Sequence, residues 1–225
     1  MKFEKLKSRV RVLLVAGIFL FGISSIRADD AANSISAPKA VVVLGDSLAA
    51  GFGLDPDEAF PALLQTKIDD AHLNFTVINA GVSGDTSSGG LRRIDWLLKR
   101  PVDVLVLELG GNDGLRGIPV ADTETNLQNI IEKVQKKNPQ AQIVIAGMQM
   151  PPNMGDGYDV PFREIFPTLA KQFHAALIPF LLEGVGGHPD LNQADHIHPT
   201  AEGDKIVADN VWKILGPVLK NFPKP

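Results

Sequence analysis

Apolar residues in this chain come in short unbroken blocks, separated by longer stretches in which they recur every three or four positions. Ala40-Val41-Val42-Val43-Leu44 is one such block, closed by Gly45. Phe75-Thr76-Val77-Ile78, residues 102–109, Ile143-Val144-Ile145-Ala146 and residues 176–180 repeat it. Runs of this length, β-branched and not alternating, predict strands covered on both faces. Between them the period changes. Phe60, Leu63, Leu64 and Ile68 share a face over 59–68, and Leu91, Ile94, Trp96, Leu97 and Leu98 are read as doing the same over 91–98. Leu127, Ile130, Ile131 and Val134 stand at helical spacing in 122–137, which Asn138-Pro139 terminates. A last helix over 200–219 carries Ile206, Val207, Val211, Ile214 and Leu215. Trp96, Trp212 and these Leu/Ile stripes are read as core.

Five alternations of strand and helix predict an α/β fold: a parallel sheet with helices on both faces, joined by right-handed crossovers. Ligands of such sheets bind beyond the carboxyl ends of the strands, so the loops that follow the strands are where chemistry is expected. The 225 residues show no internal repeat and no second domain.

The N-terminus follows a different rule. Lys2, Lys5, Lys7, Arg9 and Arg11 precede a 15-residue apolar run, 12–26, with small residues behind it. That is the layout of a secretory signal peptide, shorter than the ~20 residues that span a bilayer. Residues 1–28 are therefore read as a signal peptide, 29–39 as a linker and 40–225 as the working domain. An exported, periplasmic protein is expected, with a secreted product or an N-terminal anchor as the alternatives. No stable membrane insertion is expected after cleavage, and a monomer is the favoured state. Removal of 1–28 takes six of the 22 basic residues and one of the 26 acidic ones, leaving a formal net charge of −9. A charge of that sign repels phosphate backbones, so nucleic acid is not an expected partner. Cysteine is absent, which removes thiol nucleophiles, disulfides and thiolate metal sites.

The strand-end loops hold a recognisable set of groups. The first strand ends in Gly45-Asp46-Ser47-Leu48, the second in Asn79-Ala80-Gly81-Val82-Ser83-Gly84-Asp85-Thr86, and the third in Gly110-Gly111-Asn112-Asp113. Asp195-His196-Ile197-His198 precedes the last helix. A serine hydroxyl needs a base before it can attack, and neutral imidazole suits that task near pH 7. A carboxylate behind the imidazole fixes its tautomer and stabilises the imidazolium. Ser47, His198 and Asp195 supply these three roles. The backbone N–H groups of Ser47 and Gly81 and the Asn112 amide could serve as donors to a developing oxyanion.

Asp46, Asp85 and Asp113 are read as turn and loop ties, and His72, His174 and His188 as surface or helix-end residues. Asp195, His196 and His198 could be taken as metal ligands, but one tight turn supplies a zinc sphere poorly. No metal and no organic cofactor is expected. Gly-x-Ser-x-Gly, Gly-x-Gly-x-x-Gly and P-loop patterns are all missing.

Gly45-Asp46-Ser47-Leu48, Gly81, Gly110-Gly111-Asn112-Asp113 and Asp195-x-x-His198 resemble the four blocks of the SGNH (GDSL) hydrolases. The surrounding text, from Leu44 to Gly51, Ser83 to Ser87 and Glu108 to Gly117, is similar to that family's bacterial periplasmic multifunctional esterases. The resemblance implies a flavodoxin-like three-layer α/β/α sandwich with a five-stranded parallel sheet, and an acyl-enzyme on Ser47. It implies Asp195 and His198 as the orienting carboxylate and the base, and Ser47, Gly81 and Asn112 as the oxyanion hole. Small aryl esters, acyl thioesters and lysophospholipids are the substrates it implies. A mobile loop over 114–119 is implied as well. Leu115, Ile118, Pro119, residues 148–152 and Tyr158 could line the acyl chain. A carbohydrate acetylesterase built on the same parts, a binding protein without turnover and a metal-dependent hydrolase are the competing readings.

Overall fold

Residues 37–150 and 155–223 are described by a computed structural model of the chain. The segment read as a signal peptide, and most of the linker, lie outside them. Five strands form one parallel sheet: β1 (Lys39–Gly45), β2 (Phe75–Gly81), β3 (Val104–Glu108), β4 (Gln142–Ala146) and β5 (Ala176–Ile178), in the order β2-β1-β3-β4-β5. The flavodoxin-like α/β sandwich implied by the sequence is what forms. β1, β3 and β4 are covered on both faces. β2 is an edge strand, and it departs from the doubly buried reading: of its apolar block only Phe75 is fully enclosed, and Thr76 is exposed.

The helices are α1 (Ser47–Ala50), α2 (Phe60–Asp70), α3 (Ser87–Leu97), α4 (Gly111–Leu115), α5 (Val120–Lys137), α6 (Asp156–Gln172) and α7 (Ala201–Lys220). α2 packs with α7, while α3, α5 and α6 pack together. Thr86 and Thr200 cap α3 and α7 by accepting from the N–H three residues on, at 3.2 and 3.3 Å. Ile94 and Leu98 of the α3 region are buried, but Trp96 is 67% exposed and does not belong to the core. The reason is angular: at about 100° per residue, position 96 lies roughly 200° around the helix from Ile94. Trp212 is partly buried and packs against the core as read. His72 and His174 sit just past α2 and α6 in left-handed turns. Among the described residues no helix is long and apolar enough to cross a membrane.

The chain runs from β1 to β2 in one direction and onward to β3, β4 and β5 in the other. The crevice at this reversal opens at the carboxyl ends of β1 and β3, where such sheets bind ligands. Gly45 and Glu108, the last residues of those strands, are register partners there.

The two helices on one face are also joined by a carboxyl. No side chain next to α2 caps its start; instead the Phe60 N–H donates to Asp204 Oδ2 of α7 at 2.9 Å. Burial pushes Asp204 up to about 7, against the opposing pull of the Phe60 N–H. The folded protein therefore retains a proton that the unfolded chain releases near pH 4, and wild-type stability declines as pH rises through that window. Asp204→Asn keeps an oxygen for Phe60 and cannot ionise. Its stability relative to wild type is expected to climb between about pH 4 and pH 7 in denaturant titrations; a pH-independent difference would refute this.

Candidate active site

Ser47 opens α1 directly after β1, and Asp46 shapes the join. Asp46 Oδ1 accepts from the Leu48 N–H at 3.0 Å, starting the short helix, and Oδ2 accepts from Asn112 Nδ2 at 3.0 Å. One buried carboxyl thus fixes both the serine turn and the amide on α4. Desolvation raises Asp46 to about 6, partly offset by these two donors. Its structural role is the one read from the sequence. Asp85 pairs with Arg93 Nε at 2.6 Å, and Asp113 accepts from the N–H and hydroxyl of Ser87, so both tie loops together as expected.

His198 arrives from the opposite end of the chain. Its loop lies between a 3₁₀ turn (Pro189–Leu191) and α7, closed by the Gln193 N–H donating to His198 O at 2.7 Å and the Thr200 N–H donating to Leu191 O at 2.9 Å. Gln193 Nε2 reaches across to Phe52 O at 2.6 Å, fastening this loop to the segment behind α1. Asp195 then folds back on its own turn. Its Oδ1 accepts from the N–H groups of Ile197 (2.9 Å) and His198 (3.0 Å), and Oδ2 meets His198 Nδ1 at 2.7 Å. His196, between them, takes the left-handed conformation the turn requires. The His198 N–H, then the imidazole and then the Ile197 N–H lower Asp195 to about 2, so it stays a carboxylate under all ordinary conditions.

The other imidazole nitrogen, His198 Nε2, lies 2.8 Å from Ser47 Oγ. With Nδ1 donating to Asp195, Nε2 is the acceptor for the serine proton, the arrangement in which a hydroxyl becomes a nucleophile. The Phe52 ring covers the imidazole, with centroids 4.5 Å apart. Three of the residues picked from the sequence therefore meet in one chain of hydrogen bonds. Among the described residues no cluster of three or more His, Asp or Glu side chains is arranged to hold a metal.

Gly81 requires a correction. Its N–H donates to Asn79 Oδ1 at 2.9 Å, while Asn79 Nδ2 holds Ala49 O at 2.7 Å. The glycine ends β2 against the back of α1, where a Cβ would collide with the backbone of Ala49 and Ala50. It makes room for the serine turn, and its amide is occupied. Gly84, three residues further, lies on the turn that begins where the Val82 N–H donates to Gly45 O at 3.0 Å. No group among the described residues accepts from its N–H, and its carbonyl accepts from Arg116 Nη2 at 3.0 Å.

The lining residues divide. Leu115 is exposed at the end of α4, and Pro119 is exposed before α5. The Tyr158 hydroxyl donates to Ile118 O at 2.6 Å and its ring stacks on Phe162, so Tyr158 holds the 114–119 loop. Met148 is buried in the core and cannot line a cleft; Pro151 and Pro152 lie outside the described residues. Phe52, Val82, Leu115 and Ile197 are exposed apolar side chains on the segments that carry or adjoin the reacting groups. Sequence reading missed Asn79, Gln193 and Phe52, whose roles depend on partners 30 to 146 positions away.

Residues 43–206 match the GDSL-like Lipase/Acylhydrolase family. The chain belongs to that family. It is 42% identical to Esterase TesA of Pseudomonas aeruginosa over 185 residues, 82% of this chain and 91% of that protein. It is 40% identical to Thioesterase 1/protease 1/lysophospholipase L1 of Escherichia coli K12 over 188 residues, 83% and 88% of the two chains. The crystal structure of the psychrotrophic esterase EstA from Pseudoalteromonas sp., inhibited by monoethylphosphonate, superposes with a TM-score of 0.76. It is 35% identical and is matched over 81% of this chain and 100% of its own.

The two glycines of the second block are expected to respond differently to a methyl group. Gly81→Ala forces backbone apart and should lower the melting temperature sharply. Gly84→Ala meets only the tip of Arg116, 3.7 Å away, and costs the roughly 1–2 kcal/mol of a left-handed alanine. Equal losses in thermal denaturation would contradict these roles.

Proposed function

We propose that this chain is an exported serine esterase that hydrolyses carboxylic esters and thioesters through an acyl-enzyme on Ser47. The hydrogen-bond chain from Asp195 through His198 to Ser47 Oγ, at 2.7 and 2.8 Å, carries the reading. Ser47 Oγ attacks the acyl carbonyl carbon as His198 Nε2 takes its proton. The imidazolium that forms is stabilised by Asp195, and the carbonyl oxygen becomes an oxyanion. Ser47 N–H, the second Nδ2 hydrogen of Asn112 and, in place of Gly81, the Gly84 N–H are its donors, each worth about 2.7–4 kcal/mol in such sites. His198 passes the proton to the departing alcohol or thiol. Water, deprotonated through the same imidazole, releases the acid and restores the serine.

Relatives named as esterase, thioesterase and lysophospholipase support ester and thioester substrates, and the phosphonate-inhibited neighbour supports an activated serine. The apolar side chains of Phe52, Val82, Leu115 and Ile197 favour acyl groups longer than acetyl, because added methylenes gain only where apolar surface receives them. Export, with periplasmic residence, rests on the basic and apolar pattern of residues 1–28.

Ser47→Ala should lose at least about 10⁴-fold in kcat on p-nitrophenyl acyl esters while keeping its far-ultraviolet circular dichroism. A fluorophosphonate should label wild type at Ser47. Activity should rise from acetyl to longer acyl chains on one leaving group. Undiminished turnover by Ser47→Ala, or labelling elsewhere, would overturn the assignment.

A further inference from the structure

Beneath the serine turn lies a carboxyl that the acyl-transfer steps do not use. Glu108 ends β3 and is fully buried. Its Oε2 accepts from the Asp46 N–H at 3.0 Å and the Ala49 N–H at 3.3 Å, the amides that flank Ser47 and Leu48 in the chain. Its sheet partner is Gly45, where a Cβ would collide with Glu108 Oε2 itself. The glycine that precedes Asp46-Ser47 is therefore the space into which this carboxyl fits. The turn is moulded over it, and Asp46, held from below, reaches up to Asn112.

We propose that Glu108 is a positioning residue for the nucleophile, its Oε2 holding the backbone on both sides of Ser47 so that Oγ stays within reach of His198. This rests on the reading of Ser47 as the nucleophile. Glu108 acts as the neutral acid. Burial, and then the charge of Asp46, push its pKa well above the ordinary carboxyl range. The geometry agrees: Oε1 is enclosed with no partner among the described residues. A full negative charge shared with that oxygen would face no donor, and an unpaired buried charge costs far more than an unpaired hydroxyl. Two N–H groups need one carbonyl-type oxygen, and a neutral carboxyl or an amide provides it equally well.

Glu108→Gln keeps the oxygen without the possibility of charge, and Glu108→Leu removes the oxygen at similar volume. Rates are taken per fluorophosphonate-titratable site, so that unfolded protein does not count. Glu108→Gln should keep kcat within about threefold of wild type with an unshifted pH profile. Glu108→Leu should lose about 10–100-fold in kcat and in the rate of fluorophosphonate labelling, with KM changed less than about threefold, the loss expected from a nucleophile displaced by a fraction of an ångström. Should Glu108→Leu fold too poorly to assay, the infrared band of a protonated carboxyl decides, measured above about pH 8 where Asp46 and Asp204 have ionised. It should be present in wild type and missing from Glu108→Gln. Wild-type kcat in Glu108→Leu would overturn the proposal, as would equal losses in both variants or identical spectra. Failure of the Ser47 reading looks different, because wild type itself would then not be labelled at that serine.

Discussion

The contact between Ser47 Oγ and His198 Nε2 joins positions 151 residues apart and is the interaction on which the site depends. Neither residue could hold that distance from its own loop. Ser47 is fixed by the end of β1, by Asp46 and by the underlying Glu108. His198 is fixed by the Asp195 turn and by Gln193 reaching to Phe52 O. The parallel sheet supplies the common frame, because the reversal of strand order places the ends of β1 and β3 side by side. A hydrogen bond of 2.8 Å across such a distance needs rigid support on both sides, since a displacement of 1 Å can cost about a hundredfold in rate.

Carboxyl groups in this molecule divide their work by environment. Asp195, ringed by N–H donors near the surface, is held low and remains charged beside the imidazole. Asp46 and Glu108, enclosed below the turn, are pushed up by desolvation and serve as hydrogen-bond acceptors for backbone and amide. Asp204 does the same for the first turn of α2. The single exposed and strongly ionised member of the set is the one in direct contact with the base. Burial holds Glu108 well above the ordinary carboxyl range, whereas Asp46, raised to about 6, ionises around neutral pH and adds its charge to the forces that keep Glu108 protonated.

The sheet, its helices and the trio Ser47, His198 and Asp195 are legible because they follow from local signals: unbroken β-branched runs, 3.6-residue periodicity and polar residues placed just past strand ends. That the Gly81 N–H is taken by Asn79 is something periodicity cannot reach. The second block contains two glycines, and choosing between them requires knowing that β2 continues through Asn79 and Ala80 to Gly81. Only then is Gly84 the first glycine beyond the strand. Trp96 reads as part of the apolar face of 91–98, although the helical angle turns it away from Ile94 and outward. Glu108 reads as an ordinary strand-end carboxylate, and its partners are backbone N–H groups some 60 positions away that leave no mark in the sequence.

The central claim is spatial and chemical together: a serine activated from one side faces its oxyanion donors on the other. A crystal structure of the protein after reaction with a p-nitrophenyl phosphonate tests it most directly. Phosphorus should be bonded to Ser47 Oγ, with the phosphoryl oxygen within hydrogen-bond distance of Ser47 N, Asn112 Nδ2 and Gly84 N, and His198 Nε2 facing the remaining ester oxygen. Phosphorus on any other atom, or a phosphoryl oxygen turned away from Asn112 and Gly84, would contradict the account.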